Sequence, residues 1–240
     1  FSFKNLVVSY NVSDEYRSFL RLSIPEMTGG RLENNTIVLT RAGDESSIPL
    51  GAIDLSLLGQ APSSMLTYRN NIFYLGPTYQ VSPQVDLPHD HNVYWRTDGT
   101  EQGWAILGCN ASLGTGDKIG NPRFIDHDTE YSRNPGGFRD LRLRNNSPAV
   151  DTGANLGYAR DHDDNPVPTG AGPDIGAYEL GALLAAGAPP KAIQEEADPA
   201  RWKARPSRNP SEGSFKGGVY YLDSEKGSDD YPGTMAQPWK

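Results

Sequence analysis

Short apolar stretches broken by polar bends run through the first 100 residues of the chain. Four of these stretches carry an Asn or a His at the bend, at Asn5, Asn34, Asn70 and His91, with steps of 29, 36 and 21 residues. An Asn side chain tolerates a left-handed backbone and hydrogen-bonds nearby main chain, so the pattern predicts a repeated corner. The repeat indicates a solenoid with loops of variable length and these four residues stacked in a column. The alternative is a set of independent loop residues.

Residues 75–90 predict a loop that a regular coil cannot absorb, and variable loops on a rigid stack are common binding surfaces. The group at its end is suited to sugar contact, because aromatic faces stack on pyranose rings while Arg and Asp bond hydroxyls or carboxylates. The competing interpretation makes His91 a bend residue and the aromatic pair core. The candidate carbohydrate-binding residues are His89, Asp90, Tyr94, Trp95 and Arg96.

The hydrophobic pattern of the region 140–179 differs from that of the first 100 residues. Leu141 and Leu143 alternate with arginines, which predicts a short half-buried strand, and residues 175–178 predict a last short strand. Between them, Asp161, Asp163 and Asn165 have the D-x-D-x-N spacing of a calcium loop. Pro at the sixth position and the lack of a Glu at the twelfth favour a plain turn. Calcium is the only cofactor that the pattern suggests.

Composition narrows the class of protein. Hydrophobic residues make up 36% of the chain, and 26 Gly and 19 Pro predict a turn-rich, all-β protein. The net charge of −8 argues against a nucleic-acid partner, and no apolar run is long enough to span a bilayer. The single Cys109 excludes a disulfide framework within the chain.

Three ordered segments resemble the end of secreted bacterial proteins with a right-handed parallel β-helix, the pectate-lyase-like architecture. They read GNPRFID at 120–126, SPAVDTG at 147–153 and DIGAYE at 174–179. The resemblance implies an all-β solenoid in which residues 1–181 form the final coils and a closing module at their end. It says less about activity, because this architecture hosts several functions.

A proline-rich stretch at 182–214 predicts a linker or an extended strap. Residues 215–240 then resemble the first strand and cap of the same β-helix class, so the ending precedes a beginning. Two explanations fit this order. Either the chain spans two tandem modules, or the tail completes the open edge of its own stack or a neighbour's, which would give head-to-tail filaments.

The function implied by the resemblance is extracellular or cell-surface binding or processing of a polysaccharide. If the protein is an enzyme, it would be a polysaccharide lyase or a glycoside hydrolase, but no motif fixes a base or an acid pair. The other class is a non-catalytic structural or adhesive surface protein, including a filament subunit whose residues 215–240 complete a neighbouring copy.

Overall fold

The computed structural model describes residues 2–14, 18–22, 26–40, 50–55, 65–127 and 139–181. All of them lie in the first of the two compact units into which the chain divides, Phe1–Ala188. The linker at 182–214 and the segment 215–240 fall outside the described residues. The described part is mostly strand with almost no helix, which confirms the all-β expectation.

The strands are short, and all but one pair of them run parallel. They are β1 (Ser2–Lys4), β2 (Val7–Ser9), β3 (Val12–Asp14), β4 (Leu20–Arg21), β5 (Glu26–Thr28), β6 (Gly30–Glu33), β7 (Thr36–Leu39), β8 (Leu50–Gly51), β9 (Ile53–Asp54), β10 (Leu66–Arg69), β11 (Ile72–Leu75), β12 (Tyr79–Gln80), β13 (His89–Asp90), β14 (Val93–Arg96), β15 (Lys118–Ile119), β16 (Phe124–Asp126) and β17 (Asp140–Leu143). The helix of the described residues is α1 (Gly103–Leu107).

Two parallel sheets organise these strands. Sheet 1 has the order β13-β10-β6-β2, and sheet 2 has the order β15-β14-β11-β7-β3. Each strand of sheet 1 leads through a two-residue corner into the next strand of sheet 2, and we call such a unit a layer. Four layers therefore lie on one another in register, as a repeated corner predicts.

The first corner residue of every layer has a left-handed backbone. The φ angles are 54° at Tyr10, 53° at Asn34, 54° at Asn70 and 52° at His91. These four residues share one register because Ser9 pairs with Glu33, Glu33 with Arg69, and Arg69 with Asp90.

Asn5 does not belong to this register, which corrects the predicted column. It follows β1, which pairs with β5, so its partner is Gly29 at an earlier corner. Both residues have a positive φ, 56° and 68°, and a Cβ on Gly29 would lie 2.6 Å from Oδ1 of Asn5. Tyr10 occupies the place that the sequence pattern assigned to Asn5.

The hydrogen-bonded column lies one residue further along, at the second corner position. Asn11, Asn35, Asn71 and Asn92 follow one another there, and Asp117 ends the series. From Asn35 onward, each Oδ1 of the column accepts hydrogen bonds from both the backbone N–H and the Nδ2 of the residue before it, at 2.7–3.1 Å. The column therefore satisfies the buried polar groups at Asn35, Asn71 and Asn92, which fixes the register of the layers.

A third line of backbone hydrogen bonds passes through residues 79–82. Ala52 N–H donates to the Gln80 carbonyl, and Ile53 N–H donates to the carbonyl of Val81. Val81 N–H donates in turn to the Ile106 carbonyl at the end of α1. The expected loop at 75–90 is therefore regular over part of its length, and the side chains of Tyr79, Val81 and Leu87 are buried.

In sheet 2, β7 and β11 are buried on both faces, which explains their mostly apolar sequences TIVL and IFYL. Side chains such as Phe73 face the main core between the sheets, whereas Ile72 and Tyr74 belong to a second cluster. The other members of that second cluster include Phe124, Leu141, Leu143, Ala149 and Ile175.

The region 139–181 therefore covers the outer face of sheet 2, which corrects the expectation that it closes the end of the stack. Its contacts reach the first layer, where Nδ1 of His162 lies 2.9 Å from the Tyr10 carbonyl oxygen. The predicted alternation at Leu141 and Leu143 is confirmed by β17, where both side chains are buried. The physical reason for the lateral position is that the apolar outer face of sheet 2 must be shielded from water.

The predicted strand at 175–178 is wrong. Ile175 N–H donates to Ala149, and Gly176 N–H donates to the carbonyl of Asn70, so these groups bond to different segments. Gly176 has a φ of 107°, and a Cβ there would lie 2.7 Å from Cδ1 of Ile72. A glycine is required because the backbone passes so close to sheet 2.

Candidate functional site

Two of the predicted carbohydrate-binding residues lie in the core. The Tyr94 side chain is fully buried, and 5% of the His89 side chain is exposed. His89 stacks on Tyr68 with ring centroids 4.8 Å apart, while Tyr94 stacks on Phe73 at 5.7 Å. Neither ring offers a face to a sugar.

Both residues converge on Asp117. Its Oδ2 lies 2.6 Å from Nδ1 of His89 and accepts hydrogen bonds from the Tyr94 hydroxyl at 3.2 Å and from Gly114 N–H at 2.8 Å. Burial raises the pKa of Asp117, but hydrogen bonds from His89, Asn92 and Gly114 outweigh this and lower it below its ordinary value. Burial is also the main reason that the pKa of Tyr94 is raised. This group is a buried hydrogen-bonded network around one carboxylate in the core.

The other three candidates point elsewhere. Asp90 pairs on the surface of sheet 1 with Nε of Arg69 at 2.8 Å and with Nδ1 of His91 at 2.8 Å. Trp95 is half-buried against the second cluster. The guanidinium of Arg96 donates to the carbonyls of Pro77 and Ala105 and to Asp98. The structure therefore does not bring the five candidates together on one surface.

The calcium candidate is held by hydrogen bonds within the protein. Asp161 Oδ1 accepts from the backbone N–H groups of Asp163 at 2.9 Å and Asn165 at 2.7 Å. Its Oδ2 accepts from Nδ2 of Asn165 at 2.9 Å and from Glu179 N–H at 2.7 Å. Since both oxygens of Asp161 already have two donors each, this geometry favours the plain turn. Among the described residues, no group of three or more His, Cys, Asp or Glu side chains could hold a metal ion.

Two further buried carboxylates tie the region 139–181 together. Asp174 accepts hydrogen bonds from the backbone N–H groups of Asp151 at 2.7 Å and Leu180 at 2.6 Å. Glu179 accepts from the N–H groups of Asp174 at 2.9 Å and Thr169 at 3.1 Å. Burial raises the pKa of Asp174 to about 6 and that of Glu179 to about 7. The acidic residues of DIGAYE therefore have a structural role in this region.

An open cleft lies beside α1, in a part of the chain that the sequence did not single out. It has a volume of about 640 Å³ and is lined by Gly103, Trp104, Asn110, Ala111, Ser112 and Leu113. Among the described residues, the large hydrophobic side chains that are exposed are Val7, Trp104 and Leu113, and two of these three line the cleft. Trp104 is 60% exposed, which is unusual for so large an apolar side chain.

The cleft is held firmly by its backbone. Gly108 N–H donates to the Trp104 carbonyl, and Ala111 N–H donates to the Gly108 carbonyl. Gly108 has a φ of 87°, and a Cβ there would lie 2.8 Å from Cα of Pro83. The Arg96 guanidinium also holds this segment, through its hydrogen bond to the Ala105 carbonyl at 3.0 Å. The backbone that carries Trp104 is therefore fixed by these hydrogen bonds. The sequence signal for the exposure of Trp104 was the polar run TDGTEQ at 97–102 that precedes it.

No protein-family model matches this chain, and no curated protein is significantly similar to it. In the part of the chain that the structure describes, no helix has the length and hydropathy needed to cross a bilayer.

Proposed function

We propose that this chain carries the final coils of a right-handed parallel β-helix that binds polysaccharide outside the cell or at its surface. The fold proposal is supported by four parallel layers in register and by the side-chain column from Asn11 to Asp117. The lateral cover at 139–181 takes the place of the expected end cap. The resemblance of its segments to secreted β-helix proteins supports the extracellular location.

The observation that carries the binding proposal is the exposed Trp104 in the open cleft. An exposed apolar side chain costs free energy unless a partner covers it, and a Trp face packs well on the C–H face of a sugar ring. Asn110 and Ser112 supply neutral hydrogen-bonding groups beside it. The described lining residues have no ionisable side chain, which favours binding over lyase or hydrolase chemistry at this cleft.

The test is affinity electrophoresis of the full chain against a panel of plant, algal and bacterial polysaccharides, followed by calorimetry with each binder. We expect Trp104→Ala to weaken binding at least about tenfold, equivalent to about 1.4 kcal/mol. Val7→Ala is the matched control, because Val7 is also an exposed hydrophobic but lies away from the cleft on β2. Failure of every polysaccharide to bind, or unchanged binding by Trp104→Ala, would contradict the proposal.

A second candidate is a subunit of a head-to-tail filament. In the described ranges, β2 and β3 are the edge strands of sheets 1 and 2 at the end where the Asn11 side chain begins the column. Such an edge can accept a strand from another chain. The candidate predicts fibres of the full chain in electron micrographs and their loss when residues 215–240 are deleted. A full chain that remains monomeric by light scattering at high concentration would rule it out.

A further inference from the structure

The cleft beside α1 is electrically neutral, and the segment that leads into it is acidic. None of its six lining residues is charged. Residues 96–102 contain one cation, Arg96, and two anions, Asp98 and Glu101. The Arg96 guanidinium is already committed to Asp98 and to two backbone carbonyls, so its charge is not available to a ligand.

A uronate polymer would meet unfavourable electrostatics there. Each of its carboxylates would need a cation or several N–H donors to compensate for lost hydration. The chain as a whole carries a net charge of −8, which would repel a polyanion at low ionic strength. The resemblance to polysaccharide lyases points to acidic polysaccharides, whereas the lining of the cleft offers no cation to an acidic polymer.

From this neutral lining we infer that the cleft selects uncharged polysaccharide and discriminates against uronate polymers. The inference rests on the proposed function, because it names the class of ligand for the same cleft. Trp104 stacks on the C–H face of one sugar ring, and Leu113 extends the apolar surface beside it. The side chains of Asn110 and Ser112 bond the hydroxyl groups that a neutral sugar presents around its edge.

The size and rigidity of the cleft fit such a ligand. A volume of about 640 Å³ lies within the range of about 300–1,000 Å³ that is typical of small-ligand sites, so a short stretch of sugar rings can enter. The backbone is fixed by the turn at Gly108 and by its contact with Pro83. A cleft that is already formed loses little conformational entropy when the ligand binds.

The experiment uses pairs of polymers that share a backbone and differ in charge. Hydroxyethyl cellulose is compared with carboxymethyl cellulose, and methyl-esterified homogalacturonan with polygalacturonate, by affinity electrophoresis at low and moderate salt. We expect at least about tenfold tighter binding to the neutral member of whichever pair binds, with little effect of salt on that affinity. Trp104→Ala should weaken this binding at least about tenfold, and Val7→Ala should leave it unchanged.

A charge-introducing variant tests the same point in the opposite direction. Ser112→Lys places a cation in the exposed lining, so we expect it to raise affinity for the carboxylated member several-fold at low salt. Tighter binding of the carboxylated member by the natural sequence, lost in Trp104→Ala, would overturn this inference and leave the polysaccharide-binding proposal intact. Absence of binding to all polymers of both the wider panel and these pairs would overturn both.

Discussion

Nδ1 of His89 lies 2.6 Å from Oδ2 of Asp117, and this pair ends the column of corner amides. Asp117 differs from the asparagines before it because it has only acceptors, so it receives bonds from Asn92 on one oxygen and from His89, Tyr94 and Gly114 on the other. Its side chain is fully buried, yet its pKa is lowered. An ionised carboxylate therefore stands at the end of a neutral ladder.

Replacing this carboxylate by an amide should be costly. In Asp117→Asn, the Oδ1 can still accept from Asn92, but the new NH₂ group cannot accept the hydrogen bonds that Gly114 N–H and the Tyr94 hydroxyl now donate to Oδ2. We expect a loss of about 3 kcal/mol in the free energy of unfolding, measured by urea denaturation, because a buried carboxylate that accepts several hydrogen bonds is replaced and its donors are left unpaired. Asp86→Asn is the control at an exposed site and should change stability by less than about 0.5 kcal/mol. Equal urea midpoints for the two variants would contradict this account.

The middle of the column should be similarly sensitive. Asn71 is fully buried, accepts two hydrogen bonds from Asn35 and donates to Asn92 and to the carbonyls of Leu32 and Arg69. Truncation in Asn71→Ala leaves several buried polar groups without partners, so we expect a loss of about 2–4 kcal/mol in urea denaturation.

The exposed turn residue Asn145 provides the comparison for this substitution. Asn145→Ala should leave the urea midpoint almost unchanged, since the side chain is open to solvent. If Asn71→Ala were as mild as Asn145→Ala, the column would not be the device that holds the layers together.

The sequence predicted the repeated corners, since residues that tolerate a left-handed backbone are needed wherever the chain bends in this way. It could not tell which corner Asn5 serves, because Asn5 and Tyr10 each lie two residues before a short strand that begins with Val. The structure gives both residues a positive φ. For a related reason, the predicted column residues lie one position before the residues whose side chains form the hydrogen-bonded column. The backbone conformation and the side-chain hydrogen bonds are divided between neighbouring positions, as at Asn34 and Asn35.

The site was harder to predict than the fold. His89, Tyr94 and Trp95 lie within seven residues of one another, in the stretch HDHNVYWR. Strand alternation nevertheless sends the Tyr94 side chain into the main core and the Trp95 side chain toward the second cluster. The exposure of Trp104 depends on the turn at Gly108, which packs against Pro83 through a contact distant in sequence. No local pattern encodes such a contact.

The lateral position of the region 139–181 makes a prediction about Tyr158. Its hydroxyl donates to Oε2 of Glu33 at 2.6 Å, and its ring packs edge-on against Tyr10 at 5.2 Å. Tyr158→Phe keeps the ring but leaves the buried Glu33 carboxylate without this donor. We expect the free energy of local opening of this region to fall by about 1–2 kcal/mol. Amide hydrogen exchange should therefore accelerate in residues 151–180 while β10 and β11 stay protected.

This difference in hydrogen exchange between residues 151–180 and strands β10 and β11 tests whether the region 139–181 opens independently of the layers that it covers. If Tyr158→Phe accelerated exchange equally in every layer, the region would be part of the global folding unit and would not open locally. The unfolding transition followed by near-ultraviolet circular dichroism gives an independent check, because local opening alone leaves the midpoint of the aromatic core near its original value.

The buried carboxyls of the same region predict an unusual dependence of stability on pH. The folded-state pKa values of Asp174 and Glu179 are raised, chiefly by burial, from 3.8 to about 6 and from 4.5 to about 7. The folded protein therefore binds protons that the unfolded chain has released, so this contribution is greatest below about pH 4 and is lost as the pH rises through 6 and 7. We expect a higher urea midpoint at about pH 5 than at about pH 8.

Carbon-13 titration of the two carboxyl groups should show midpoints near the same raised values. Asp174→Asn combined with Glu179→Gln should flatten the dependence of the urea midpoint on pH. Midpoints near 4 for both groups, or stability that rises toward pH 8, would show that these carboxyls are solvated and do not anchor the cover of sheet 2.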